Sequence, residues 1–141
     1  MKQNVENIDW YALSLNEKAI SLLEQYPLNI NWYFLSRNPN AIPLLEQFPE
    51  NVDIGSLCRN TNARTLIQKY LSGEISASET DGSPLDWGSL SSNPGAITIL
   101  RNHQNKIKWE SLFMNNKAII ETDTIRYQLL LKHLLHSIYN L

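Results

Sequence analysis

Hydrophobic and polar positions recur along the chain at an interval of 22 residues. Four segments share the order apolar residue, polar residue, Trp, two further residues, Leu, and they begin at Ile8, Ile30, Leu85 and Ile107. A fifth begins near Val52 with isoleucine in place of the Trp, and the 33 residues from 52 to 85 include 11 beyond the period. A fixed period of this length is typical of repeat proteins. The pattern predicts five repeats, starting near 8, 30, 52, 85 and 107, with an insertion at residues 72–84.

Each repeat contains the signals for two short helices. The first half opens on a side chain suited to an N-cap, such as Asp9, and places Trp and Leu three residues apart. In the second half, Asn38-Pro39 and Asn93-Pro94 mark helix starts, because Asn caps a free amide and Pro has no N–H to satisfy. Helices of about two turns are unstable alone, so we expect the repeats to stack and bury their apolar residues. The predicted framework residues are Trp10, Leu13, Trp32, Leu35, Asn38, Pro39, Leu57, Trp87, Leu90, Asn93, Pro94, Trp109 and Leu112.

The fold predicted from this pattern is all-α. We expect a single domain, residues 1–141, in which about five two-helix repeats form a short α-solenoid. Residues 123–141 contain no Gly or Pro and carry a leucine-rich stripe, so they predict a C-terminal helix that caps the last repeat. A leucine-rich repeat of similar length is the alternative, but Gly55, Gly88 and Glu110 stand where its strand needs apolar side chains.

The second repeat, from Ile30 to Glu46, combines four elements at fixed spacing: Trp32, Leu35-Ser36, Asn38-Pro39 and Ala41-Ile42. The fourth repeat shares the combination, which resembles the Trp-x-x-Leu-Ser-x-Asn-Pro-x-Ala-Ile repeat arrays of giant double-stranded DNA viruses, the mimivirus-like and iridovirus-like groups. The resemblance covers residues 8 to about 122. Repeat one lacks the Pro, repeat three lacks Trp and Pro, and Phe113 replaces the Ser in repeat five. The resemblance implies a helical-repeat viral protein without assigned chemistry, located in the host cytoplasm or the virion.

Composition and charge narrow the function classes. The 141 residues are 43% apolar, which suffices for a folded core. Twelve basic and fourteen acidic side chains leave a net charge of −2, which disfavours a general polyanion binder. No apolar run approaches the roughly 20 residues of a membrane-spanning helix. The first residues do not resemble a signal peptide, and there is one cysteine, so we expect a soluble intracellular protein with no membrane span.

Candidate reactive side chains are few. Cys58 occupies a slot held by serine in other repeats, and His103 occupies one held by Tyr or Phe, so packing explains both. His133 and His136, three residues apart, have the only metal-like spacing, and they lack a nearby third ligand. No phosphate-binding loop, nucleophile elbow or zinc motif occurs. We therefore expect no enzyme activity, no cofactor and no metal.

Solenoids bind partners along extended surfaces, so we expect a non-enzymatic protein–protein interaction scaffold, a viral accessory or virion-associated component. The candidate docking residues lie on the capping helix and the acidic insertion: Leu130, Leu134, Ile138, Glu79 and Asp81. Only seven residues precede the first repeat, so Trp10 and Leu13 lie at an open end that favours homo-oligomers. The alternative is a nucleic-acid-binding module, because residues 101–141 hold six basic and three acidic side chains. No aromatic interleaving or known motif strengthens that alternative.

Overall fold

The computed structural model describes residues 7–75 and 85–115, together with Leu131, Leu134 and Leu135. Across these residues the backbone forms α-helices and three-residue 3₁₀ turns, and no strand occurs among them. The predicted all-α class is therefore confirmed, and the leucine-rich-strand alternative is wrong for the described ranges. None of the described helices has the length and apolar character needed to cross a bilayer.

Each predicted repeat begins with a short helix, and the first four continue into a second one. The helices are α1 (Trp10–Leu15), α2 (Ile20–Leu23), α3 (Trp32–Arg37), α4 (Ile42–Gln47), α5 (Ile54–Leu57), α6 (Arg64–Ser72), α7 (Trp87–Ser92), α8 (Ile97–Asn102) and α9 (Trp109–Phe113). Three repeats close with a 3₁₀ turn that the hydrophobic pattern did not predict: Pro27–Asn29, Pro49–Asn51 and Gln104–Lys106. We call α1, α3, α5, α7 and α9 the first helices, and α2, α4, α6 and α8 the second helices.

Side chains cap these helices as their sequence signals predict. Four first helices have an N-cap that accepts the backbone N–H three residues on, at 2.6 to 3.3 Å: Asp9, Asn31, Asp53 and Asp86. Asn38 and Asn93 cap the 3₁₀ turns Pro39–Ala41 and Pro94–Ala96, which lead directly into α4 and α8. The second helices of repeats two and four therefore start with a 3₁₀ turn, in which the proline takes the position that needs no N–H donor.

The aliphatic residues of the first and second helices form one core. Leu35, Leu57 and Leu90 of the first helices are completely buried. Leu13 and Leu112, in the first and last described repeats, are half-buried and pack against that core. Burial thus follows the predicted framework and is lower in the two outermost repeats of the described ranges.

The four tryptophans are only partly buried, which corrects the expectation that stacking encloses them. Three of them lie against the aromatic residue at the end of the second helix in the same repeat. The pairs, with their distances between ring centroids, are Trp10 and Tyr26 at 5.5 Å, Trp32 and Phe48 at 5.4 Å, and Trp87 and His103 at 5.3 Å. Indole is large and is seldom fully enclosed even when it packs well. The Trp therefore closes its own repeat at the edge of the core.

Neighbouring repeats pack mainly through their first helices. Helix α1 packs against α3, α3 against α5, and α7 against α9, whereas α5 and α7 are packed less closely. The insertion separates α5 and α7 in sequence. Its first residues end α6 at Gly73, which has a left-handed φ of 75°. Residues 76–84, including the candidate docking residues Glu79 and Asp81, lie outside the described residues.

The predicted capping helix, residues 123–141, also lies outside the described residues except at three positions. Leu131, Leu134 and Leu135 are helical and about half exposed. The candidate docking residues Leu130 and Ile138 are not described. The structure therefore leaves the cap as a prediction.

Candidate functional site

A buried serine hydroxyl links each of three first helices to the next repeat. The Oγ of Ser14 donates to the carbonyl oxygen of Trp10 at 2.7 Å and accepts the backbone N–H of Asn31 at 3.0 Å. Ser36 and Ser91 make the equivalent pair of contacts, one within their own repeat and one with the next repeat, at 2.7 to 3.1 Å. All three serines are completely buried, so each hydroxyl satisfies a backbone N–H at the junction between repeats.

Buried asparagines form a second line of contacts between repeats. The Nδ2 of Asn60 donates to the carbonyl oxygens of Ser36 at 3.0 Å and of Asn38 at 2.8 Å. Its Oδ1 meanwhile accepts the backbone N–H of Asn62 at 3.0 Å. Each such side chain binds the preceding repeat, and three of them are also seen to cap their own turn. We call these residues the asparagine rungs: Asn38, Asn60, Asn93 and Asn115.

The insertion leaves both lines of contacts intact. Asn93 donates to the carbonyl oxygens of Cys58 and Asn60, both at 2.9 Å. Cys58 takes the serine slot, and the backbone N–H of Asp86 hydrogen-bonds to its thiol. Burial raises the pKa of the Cys58 thiol to about 11, so the group stays protonated at neutral pH. Because the thiolate is the reactive form, Cys58 is a packing and hydrogen-bonding residue, in agreement with its slot in the repeat.

His103 fills the aromatic slot of the fourth repeat. Its ring packs on Trp87, and its Nδ1 lies 2.9 Å from the carbonyl oxygen of Ile99. Over the described residues, no three His, Cys, Asp or Glu side chains cluster as metal ligands would. His133 and His136 lie outside those residues.

A groove of about 770 Å³ opens on the face formed by the first helices of repeats two to five. Its lining combines aromatic, glycine and charged residues, among them Tyr33, Gly55, Arg59, Asp86, Gly88 and Lys108. We call it the first-helix groove. It lies where α5 and α7 pack less closely than the other neighbouring first helices.

One repeat position accounts for the groove. The second residue of the first helix is Tyr11 in repeat one and Tyr33 in repeat two, and these side chains are 53% and 45% exposed. The same position is Gly55 in repeat three and Gly88 in repeat four, so it contributes no side chain of its own there. Tyr33 therefore borders a groove whose lining includes both glycines.

Charged groups of both signs line the first-helix groove. The Nε of Arg59 donates to the Oγ of Ser89 at 3.0 Å, and the Arg59 guanidinium lies 3.8 Å from the Asp86 carboxylate. The pKa of Asp86 is lowered, chiefly because the Ser89 hydroxyl donates to its carboxylate and secondarily through backbone N–H donors and Arg59. Asp86 therefore stays ionised at neutral pH. The groove offers ionic and hydrogen-bonding contacts close to an aromatic border.

The first-helix groove was not predicted from the sequence, whereas most of the predicted docking residues lie outside the described chain. Leu134 is the one that the structure describes, and it is 48% exposed. The signal for the groove is present in the sequence as the change from Tyr to Gly at one repeat position. That signal becomes meaningful only when the first helices are placed side by side.

Comparison with known proteins adds no relative. No protein-family model, no curated protein and no solved structure matches the chain. The described residues define the class as an all-α protein with 22-residue sequence repeats. Its function has to be argued from the surfaces that these repeats form.

Proposed function

We propose that the chain is a non-enzymatic protein–protein interaction scaffold built as an α-solenoid. In this proposal five repeats stack and the predicted helix at 123–141 caps the last one. The stacking is supported by the equivalence of the junctions, since Asn38, Asn60 and Asn93 all donate to carbonyl oxygens of the preceding repeat. A stack of equivalent units presents an extended surface, which is how repeat proteins bind their partners.

The observation that carries the proposal is the first-helix groove. Its volume of about 770 Å³ extends over several repeats, and its lining includes Tyr33 and Trp87. Aromatic residues and arginine are enriched in protein interfaces. Gly55 and Gly88 leave the floor open to close approach by another backbone. The occupant we propose is an extended segment of a partner protein whose main chain lies over the two glycines.

The resemblance of the repeat to arrays of giant DNA viruses extends this proposal to a biological setting. A viral accessory or virion-associated component, in the host cytoplasm or the virion, needs surfaces that bind viral or host proteins. The partner then comes from one of those two sources.

The first-helix groove can be tested by filling it. Gly55→Tyr introduces the residue that repeats one and two carry at this position, so the variant is compatible with the repeat. Glu110→Tyr introduces the same residue at the matching position of repeat five, which does not line the groove, and serves as the control. Tagged full-length proteins are used to recover partners from infected-cell lysate, and a recovered partner is purified for affinity measurement. We expect Gly55→Tyr to weaken its binding at least tenfold and Glu110→Tyr to leave it unchanged.

Two results would overturn the proposal. One is equal binding of the purified partner by wild type and Gly55→Tyr. The other is the absence of any protein partner together with tight binding to RNA or DNA that falls steeply with salt. The second result would instead support the nucleic-acid-binding alternative.

A further inference from the structure

A second groove, of about 400 Å³, lies between the second helices α6 and α8. Its lining includes the exposed side chains of Arg64 and Arg101, and no aspartate or glutamate of the described ranges contributes to it. Three threonines also line it: Thr61, Thr65 and Thr98. We call it the arginine groove. It presents two cations and several hydroxyl groups to solvent.

Both arginines depart from the repeat pattern. Arg64 directly follows the alanine of the second half, where the other described repeats have Ile20, Ile42 and Ile97. Arg101 stands five residues after that alanine, where repeats one to three have Glu24, Glu46 and Gln68. The framework of the repeat therefore requires neither arginine. Two independent exceptions place positive charge in the same groove.

Neither arginine forms an ion pair within the described residues, although other cations do. Lys69 lies 3.0 Å from the Glu46 carboxylate, and Arg59 lies 3.8 Å from that of Asp86. Six of the eight Lys and Arg that the structure describes form no such ion pair, and Arg64 and Arg101 are the two of these that share this groove. Guanidinium groups bind carboxylate and phosphate oxygens through directed hydrogen bonds. The two guanidinium groups of this groove therefore complement an anionic ligand.

We infer that the arginine groove binds the carboxylates of an acidic segment of a partner protein. The inference rests on the proposed scaffold function and specifies the chemistry of one partner. A peptide fits better than a nucleic acid because none of the described residues that line the groove is aromatic. Single strands bind through stacking on aromatic side chains as well as through charge. The threonine hydroxyls provide further hydrogen-bond donors for an acidic peptide.

The test uses fluorescein-labelled hexaglutamate and the full-length chain, with binding measured by fluorescence anisotropy at low salt. The double variant Arg64→Gln, Arg101→Gln removes both cations of the groove. The control double variant Arg37→Gln, Lys106→Gln removes two exposed cations elsewhere and leaves the net charge equal to that of the first variant. We call the first double variant the groove variant. We expect it to bind hexaglutamate at least tenfold more weakly than wild type, and we expect less than a twofold change for the control.

Arg64→Ile separates a binding defect from a folding defect, because isoleucine is what the other described repeats carry at this position. We expect it to unfold at the same urea concentration as wild type or higher, and to bind hexaglutamate more weakly. Unchanged binding by the groove variant, or no binding by wild type, would overturn the inference. So would a twelve-residue oligothymidylate that binds more tightly than hexaglutamate and loses its affinity in the groove variant.

The two proposals fail separately. If Gly55→Tyr abolishes partner binding while the arginine variants bind hexaglutamate as wild type does, the arginine groove is wrong and the scaffold function stands. If the variant Arg64→Gln, Arg101→Gln loses hexaglutamate while wild type and Gly55→Tyr bind the purified partner equally, the scaffold proposal is wrong although the anion-binding chemistry is real.

Discussion

The side-chain amide of Asn93 donates to the carbonyl oxygen of Cys58 at 2.9 Å across an interval of 35 residues. The equivalent bonds in repeats without an insertion, from Asn38 to Ser14 and from Asn60 to Ser36, span 24 residues. The 11 additional residues are thus accommodated without changing how the repeats bond to each other. The junction is defined by which side chains meet, and the length of chain between them is secondary.

Removing one rung should destabilise the whole chain. Asn60→Ala leaves two buried carbonyl oxygens without their side-chain donor and removes a turn cap, so we expect a loss of about 2–3 kcal/mol in the free energy of unfolding. The matched control is Asn40→Ala, because Asn40 is exposed and donates to Glu17 from the outside of the junction. Urea denaturation should show a loss near 0.5 kcal/mol or less for the control, roughly the norm for surface changes. Equal losses would contradict the role of the rungs.

Gly95 should be intolerant of a side chain for a reason unrelated to its backbone angles. A Cβ at this position would lie 1.9 Å from the carbonyl oxygen of Thr61 in the preceding repeat. Gly95→Ala therefore forces the third and fourth repeats apart, and we expect thermal denaturation to show a loss of about 1–3 kcal/mol. Gly88→Ala is the control, because its Cβ would meet a side-chain oxygen of Asp86 at 3.2 Å. A smaller loss in the control is expected, and the reverse order would refute the close approach.

Tryptophan truncation tests the packing inside a repeat. Trp32 is partly buried and lies against Phe48, so Trp32→Ala removes an aromatic contact and apolar burial. We expect a loss of about 3 kcal/mol, the low end for core aromatic residues, because the ring is not fully enclosed. Glu46→Ala breaks an exposed ion pair with Lys69, and such pairs contribute little, so a much smaller loss is expected. Comparable losses in chemical denaturation would show that the Trp does not pack as described.

The buried thiol predicts an alkaline loss of stability. Burial raises the pKa of Cys58 from 9.0 to about 11, so the unfolded chain releases this proton at lower pH than the folded chain. The protonated thiol therefore contributes fully to the free energy of unfolding below pH 9. This contribution, about 2–3 kcal/mol in total, is lost as the pH rises to 11. Cys58→Ser introduces the residue that repeats one, two and four carry at this position, and it removes the titrating thiol. The urea midpoint of the wild type should therefore fall relative to that of Cys58→Ser as the pH rises from 9 to 11.

Tyr70 provides an internal reference for that experiment. Its pKa is raised to about 12, first by burial and then by the charge of Glu50. It destabilises wild type and Cys58→Ser alike at high pH, so the difference between the two proteins isolates the thiol. A difference that does not change with pH would show that Cys58 titrates normally in the folded chain.

Local signals in the sequence predicted the helices well. An N-cap such as Asp53 bonds to a backbone N–H only three residues away, so its role can be inferred without the tertiary structure. The same holds for Asn38 as the cap of the turn that precedes α4. The hydrophobic period added the core leucines, because Leu35 and Leu57 occupy one position of the repeat.

The contacts between repeats were harder to predict because their partners lie 17 to 35 residues away. One signal was available. The cap of the first helix varies among Asp, Asn and Lys, whereas the second cap is Asn in all five repeats: Asn16, Asn38, Asn60, Asn93 and Asn115. Of Asp, Asn and Lys, only the Asn side chain can both accept a bond from its own turn and donate to another repeat at neutral pH. The two grooves arise at positions where a repeat departs from the shared pattern. A search for what the repeats have in common therefore did not reveal them.

All four rungs point the same way, with the donor in the later repeat and the acceptor in the earlier one. Each internal repeat therefore presents amide donors to the preceding repeat and carbonyl acceptors to the following one. Gene duplication or deletion that adds or removes one whole unit preserves this complementarity at the new boundary. Related proteins can accordingly differ in length by whole repeats, with the same hydrogen bonds at every junction.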